Sequence, residues 1–408
     1  MKKTLALLLC GMLTFGLCAC GEEEPPVKEK TNDEKAIELV DFTVEVETGR
    51  DPIVLQLSDP QIIDAGQERY PDRLGGTLDT IWATDTVEEN CYQYIRETVQ
   101  NTNPDLIIIT GDIVYGEFDD AGTALTDFIE FMEGFDIPWA PVFGNHDNES
   151  TKGADWQCQQ FENAKNCLFE QKELTGNGNY SVGIVQDGKL KRVFYMLDSN
   201  GCEALSAESF ENGHTVEHVG FGQDQIDWYT EEITQIKELS KGTKISFAYH
   251  IQQKVFADAY AQYGFIDSGT RDNPINIDRL ADKANGDFGY LGRDLQDPWD
   301  LHYDIWWGMQ DLGVDSVFVG HEHENSASVE YNGVRFQFGQ KSSTYDRLNW
   351  FNTQTGAVVG STGKPNSAFI PMVGGTVIPL SKTDGSLKNP YIYLCENAGG
   401  EIDWSDWV

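Results

Sequence analysis

The chain has 408 residues, 40% of them hydrophobic and 12% aromatic, enough for a sizeable core in one large layered domain. Lys and Arg total 29 against 67 Asp and Glu, a formal net charge of −38. That field repels polyanions and excludes a general affinity for nucleic-acid polymers or anionic lipid; a small anionic ligand stays compatible, because bound cations reverse the sign locally.

The chain begins with Lys2 and Lys3 and then an apolar run, Leu5 to Leu17, too short for an ordinary membrane span. The run ends in Leu17-Cys18-Ala19-Cys20-Gly21, which resembles the lipobox of bacterial lipoproteins. The resemblance implies removal of residues 1–19, acyl chains on Cys20 and a protein held on the extracytoplasmic side of a bacterial cell membrane. The blander reading is a plain secretory signal. Residues 20–48, rich in Glu and Lys and carrying Pro25-Pro26, read as a flexible tether. Export permits disulfides, and five cysteines follow Cys20: Cys91, Cys158, Cys167, Cys202 and Cys395. Cys158 and Cys167, close in sequence, are the expected pair, and the odd count leaves a thiol over. No CxxC spacing points to zinc or redox chemistry.

From residue 49 the chain alternates strand and helix. Ile53 to Leu57 is a short apolar strand ending at Asp59-Pro60-Gln61. Thr86 with Glu89 forms a capping-box pattern, and Val87, Cys91, Ile95 and Thr98 then recur on one helical face until Asn103-Pro104 stops it. Leu106 to Ile109 is a buried strand ending at Gly111-Asp112. Leu125, Phe128, Ile129 and Met132 give the next helical face. Trp139 to Phe143 is a strand ending at Gly144-Asn145-His146-Asp147, Val193 to Leu197 another, and Gln223 to about Leu239 a helix. Ile245 to Tyr249 is a strand ending at His250. The segment from Val255 to Asp300 reads as an insertion, either part of a pocket wall or decoration. A helix from His302 to Leu312 precedes Val317-Phe318-Val319, a strand ending at Gly320-His321-Glu322-His323. Asn332-Gly333 signals a hairpin turn, and Thr376 to Ile378 and Tyr391 to Leu394 are late strands.

Each polar cluster thus follows the C-terminal end of a strand, where open α/β sheets gather their ligands. Together the clusters offer carboxylate, amide and imidazole donors and no thiolate, a mixture suited to manganese, iron or zinc. In this order they resemble the calcineurin-like metallophosphoesterases, whose pattern is D-x-H, G-D, G-N-H-D/E, a lone His and G-H-x-H. The likeness runs from about Ile53 to His323. It implies an α/β (α+β) fold of two stacked mixed β-sheets flanked by helices, a four-layer sandwich. Residues 49–355 form the catalytic domain and 356–408 add strands to it.

The resemblance further implies two divalent ions about 3.5–4 Å apart. Asp59 and His323 hold the first, Asp112 bridges both, and Asn145, His250 and His321 hold the second. His146 assists the leaving oxygen, and Asp147 orients His146. The implied reaction is attack of a metal-bridging hydroxide on a phosphate mono- or diester of a small molecule, with no protein partner expected. Gln61 departs from the pattern, standing where the family has His: it either ligates through its amide oxygen or bonds a bound water. Tyr115, in Gly111-Asp112-Ile113-Val114-Tyr115, resembles the ferric ligand of purple acid phosphatases, or is ordinary packing. Tyr249-His250-Ile251 and Glu322-His323-Glu324-Asn325 are similar to a subgroup near those enzymes. His214, His218 and His302 lie outside any motif and read as ordinary residues. The competing reading is a surface-anchored binding protein with a degenerate metal site and no turnover, favoured only by Gln61.

Overall fold

Alternation along the central strands sets the layers. The computed structural model describes residues 29–64, 66–67, 87–200, 220–263, 275–277, 286–292, 306–343, 348–360, 366, 368–395 and 400–401. The signal-like segment with Cys20, and Thr86, Cys202, His214, His218 and His302, lie outside the described residues. The chain clusters into two units, residues 1–31 and 32–408, and the description below concerns the second.

Its strands are β1 (Phe42–Glu45), β2 (Ile53–Leu57), β3 (Leu106–Thr110), β4 (Trp139–Val142), β5 (Tyr180–Gln186) and β6 (Lys189–Met196). Then come β7 (Lys244–Ala248), β8 (Ile275–Ile277), β9 (Phe288–Leu291), β10 (Val314–Val319), β11 (Asn325–Tyr331) and β12 (Val334–Phe338). The last are β13 (Trp350–Asn352), β14 (Val358–Val359), β15 (Phe369–Pro371), β16 (Gly374–Pro379), β17 (Tyr391–Leu394) and β18 (Gly400–Glu401). They form a nine-stranded sheet in the order β1-β5-β6-β7-β10-β12-β11-β9-β8, a six-stranded sheet β18-β17-β16-β2-β3-β4 and a small sheet β14-β13-β15. Both large sheets are mixed: β2, β3 and β4 run parallel, as do β6, β7, β10 and β12, while the antiparallel pairs come from hairpins such as β5–β6 and β11–β12 and from the chain-distant pairs β2–β16 and β9–β11.

In β6 and β10, Phe194, Met196 and Phe318 face one core, shared with Leu55, Leu57, Ile107 and Ile109 of the other sheet. Their neighbours Val193, Tyr195, Val317 and Val319 face a second core with Tyr229, Ile233 and Ile236 of the helix Gln223–Leu239. A strand buried on both faces needs the continuous apolar run seen in these sequences. The helix Val87–Thr102 packs Cys91, Ile95 and Val99 into the first core, so the two sheets stack with helices outside them. The hairpin β11–β12 turns through Asn332 and Gly333 at φ 50° and 81°, the positive pair that a type I′ turn requires.

Two expectations are corrected. Residues 32–48 do not form a tether: the helix Asn32–Ile37 buries Ala36, and β1 pairs in parallel with β5. The physical reason is the alternation Phe42, Val44, Val46, in which Val44 and Val46 reach the core between the charged residues. Cys158 and Cys167 are free and buried; the Cys158 thiol faces Gln171 Oε1 at 3.3 Å, and Cys167 bridges to Trp139. The Val255–Asp300 insertion carries the helix Val255–Ala261 and extends the large sheet with β8 and β9.

Candidate metal centre

Five chain-distant segments meet at the rim where the parallel strands of both sheets end. Asp59 and Gln61 follow β2, Asp112 follows β3, Asn145 and His146 follow β4, His250 follows β7, and His321 and His323 follow β10. Cross-sheet bonds close the seam: Gln56 Nε2 donates to Val319 O at 3.0 Å, and Gln337 Nε2 donates to Gln56 Oε1 at 2.8 Å. Asp59, Gln61, Asp112 and His321 all have positive φ, between 47° and 70°. Such backbone is costly for residues with side chains, and its clustering marks a site where position matters more than stability. Gly111 and Gly144 are required here, because a Cβ at Gly111 would run into the His250 ring and one at Gly144 into the Asp112 carboxylate.

One side of the site is densely built. Asn145 Oδ1 lies 3.0 Å from His250 Nε2 and 2.9 Å from His321 Nδ1, and His250 Nε2 lies 3.3 Å from Asp112 Oδ2. His250 Nδ1 faces Thr110 O at 2.8 Å and must donate to it, which fixes the tautomer and leaves Nε2 toward the cluster. Asp112 Oδ1 accepts from His146 N at 2.8 Å. On the other side Asp59 Oδ1 lies 3.4 Å from His323 Nε2 and accepts from His321 N at 3.1 Å. Asp59, Asp112 and His250 are all buried and each bring a ligand atom within 4.8 Å of the others.

The electrostatics agree with a place for cations. Burial works to raise the Asp112 carboxyl, but the His250 and His146 rings outweigh it and hold it well below the carboxylate range. Asp59 behaves likewise: burial is overcome by the His323 bond and charge. Burial works to lower the His250 imidazole, yet Asp112 and Asp59 lift it to about 9. Burial and the neighbouring His250 push His321 down to about 3. Two carboxylates kept ionised beneath three imidazoles are what divalent ions of borderline hardness take.

Asp147 does not orient His146. Its carboxylate accepts from Ile113 N at 2.9 Å, Val114 N at 3.0 Å and Gly144 N at 2.7 Å, fastening the β3 and β4 loops together. Burial and the nearby Asp112 charge raise it to about 7. His146 is instead flanked by Glu149, whose Oε1 lies 3.0 Å from Nδ1, and by Tyr115, whose ring stacks on it at 3.9 Å between centroids. The motif pattern hid Glu149, three residues further along a single 3-10 turn, Asp147–Glu149. It also hid Lys341, which is 1% exposed and donates to Gln61 Oε1 at 2.9 Å and Asp59 O at 3.1 Å. Lys341 follows β12, so the rule that polar clusters follow strand ends applies to it too, although the sequence marks its strand only as half of a hairpin.

Two stacked mixed sheets with an Asp/Asn/His cluster at their common rim define a metallophosphoesterase-type protein. The chain belongs to the calcineurin-like phosphoesterase family, whose profile matches residues 53–325. Among curated relatives it is 28% identical over 285 residues to "Probable inactive purple acid phosphatase 14" of Arabidopsis thaliana, covering 64% of each chain. A 63-residue stretch, 15% of this chain and 16% of the relative, is 41% identical to "Probable inactive purple acid phosphatase 28" of the same plant. The chain therefore spans less than two thirds of these relatives. A dimetal phosphatase from Danio rerio superposes with a TM-score of 0.42 at 13% identity, over 81% of this chain and 96% of that one.

Proposed function

We propose that this protein is a metal-dependent phosphoesterase acting on a small phosphate mono- or diester. The observation that carries the reading is the convergence of Asp112, Asn145, His250 and His321 around one point, with His146 beside it. Asp112, Asn145, His250 and His321 would hold one ion; Asp59, His323 and the shared Asp112 would serve another. When bound, divalent ions neutralise charge developing on a phosphoryl group and lower the pKa of water. His146, 18% exposed, is a partly open polar group at the rim and would give a proton to the departing oxygen. Glu149 and Tyr115 keep its ring in place, and Asp147 keeps the loop beneath it closed.

A second reading, binding without turnover, is supported by Gln61 in the first motif and by the word "inactive" in the relatives' names. The test is hydrolysis of p-nitrophenyl phosphate and its bis-ester with manganese, iron or zinc supplied. Turnover is expected, lost in Asp112→Ala together with bound metal and lost in His146→Ala with metal retained. Near-normal turnover in Asp112→Ala would remove the assignment, and no turnover with any metal would select the binding reading.

A further inference from the structure

Gln61 has both ends of its amide engaged, and the pairing fixes which end faces the metal centre. Oε1 accepts from Lys341 Nζ at 2.9 Å, and Nε2 points to Asp112 Oδ2 at 3.5 Å. The amide cannot be turned over: a lysine nitrogen carries donors only, so the reversed amide would set NH2 against it and a carbonyl oxygen against the Asp112 carboxylate. Neither partner has room to leave. Gln61 is 0% exposed, and its own N–H is tied to Asp112 O at 2.8 Å. Lys341 is 1% exposed, and its backbone bridges to Ser58 at the end of β2.

We propose that Lys341 locks Gln61 with its NH2 toward the first ion position, so that this protein holds one divalent ion tightly and a second only loosely. The proposal rests on the phosphoesterase reading and narrows it. An amide NH2 group is no ligand for a divalent cation, so, with the Tyr115 ring stacked on His146, the first position has Asp59, His323 and the shared Asp112, while the second has Asp112, Asn145, His250 and His321. A donor aimed inward and a cationic side chain bonded to the Asp59 carbonyl both disfavour a cation there. Gln61 is then an orientation-locked replacement for the missing imidazole and not a weaker ligand.

Equilibrium dialysis of the whole protein against buffered Mn2+ or Zn2+, read by elemental analysis, tests this without any activity measurement. The wild type should take one ion, with the second about 100-fold weaker. Gln61→Glu keeps the Lys341 bond through one carboxylate oxygen and turns an acceptor toward the first position. It should tighten the second ion about 10- to 100-fold. Lys341→Met frees the amide to turn and should act in the same direction; if loss of the buried donor prevents folding, Gln61→Glu decides alone. Two wild-type ions within about tenfold of each other, or a second ion unchanged in Gln61→Glu, would overturn the proposal and leave the phosphoesterase reading standing. No ion bound by either protein would overturn both.

Discussion

The two sides of the metal centre use the same backbone plan and differ in how their side chains are held. On the His250 side each donor is set by a neighbour: Thr110 O fixes the His250 tautomer, and Asn145 Oδ1 meets two imidazoles within 3.0 Å. On the Asp59 side the one amide gives its oxygen to Lys341 and its NH2 to the Asp112 side, and His323 meets Asp59 at 3.4 Å. Strand ends deliver residues to a rim, but only their bonds to one another decide whether they make a ligand set.

Swapping damage between the sides breaks or sharpens this contrast. His321→Ala should weaken the tight ion by at least about 100-fold, whereas His323→Ala should leave that ion nearly untouched and remove only the loose one. Elemental analysis after dialysis reads both, and equal losses would erase the distinction. Glu149→Gln comes next: with Glu149 acting through His146, kcat should fall about tenfold with KM and metal content unchanged. An unchanged kcat, or a loss of metal, would show Glu149 to be structural.

The most gradual effect is on pH. His250 must be neutral at Nε2 to ligate, and its imidazole is lifted to about 9 by Asp112 and Asp59 against burial. Metal uptake should therefore strengthen as pH rises toward 9, by at most about tenfold per unit. The sign for the chelated protein is opposite. A raised imidazole contributes stability that is complete below the ordinary 6.5 and is lost as pH climbs through 9. Its melting temperature, measured in chelator, should fall across that window, and a flat profile would mean that the Asp112–His250 pair adds nothing to the fold.

Much of this was legible in the sequence. Continuous apolar runs such as Leu106–Ile109 marked strands buried on both faces, and the clusters after them marked the rim. Less legible was anything set by a contact across hundreds of residues. The Gln61–Lys341 bond joins residues 280 apart, and no local pattern reports which way an amide turns. Asp147 illustrates the same limit: the motif shows a carboxylate beside His146 but not that three backbone N–H groups occupy it. β1 was hidden differently, by the charged residues that interrupt its short alternation.

The seam between the sheets also governs when the site can come into being. His321 N reaches Asp59 across 262 residues, and Ser58 N reaches Ser342 Oγ across 284. Contacts of that span pay their loop-closure entropy late and slow the search for the native fold. A chain emerging from the ribosome at about 5–20 residues per second has presented Asp59 well before Lys341 exists to meet it. On the metal-dependent reading proposed above, no nascent chain shorter than His323 carries the full set of donors, so a loaded centre would mark a finished molecule.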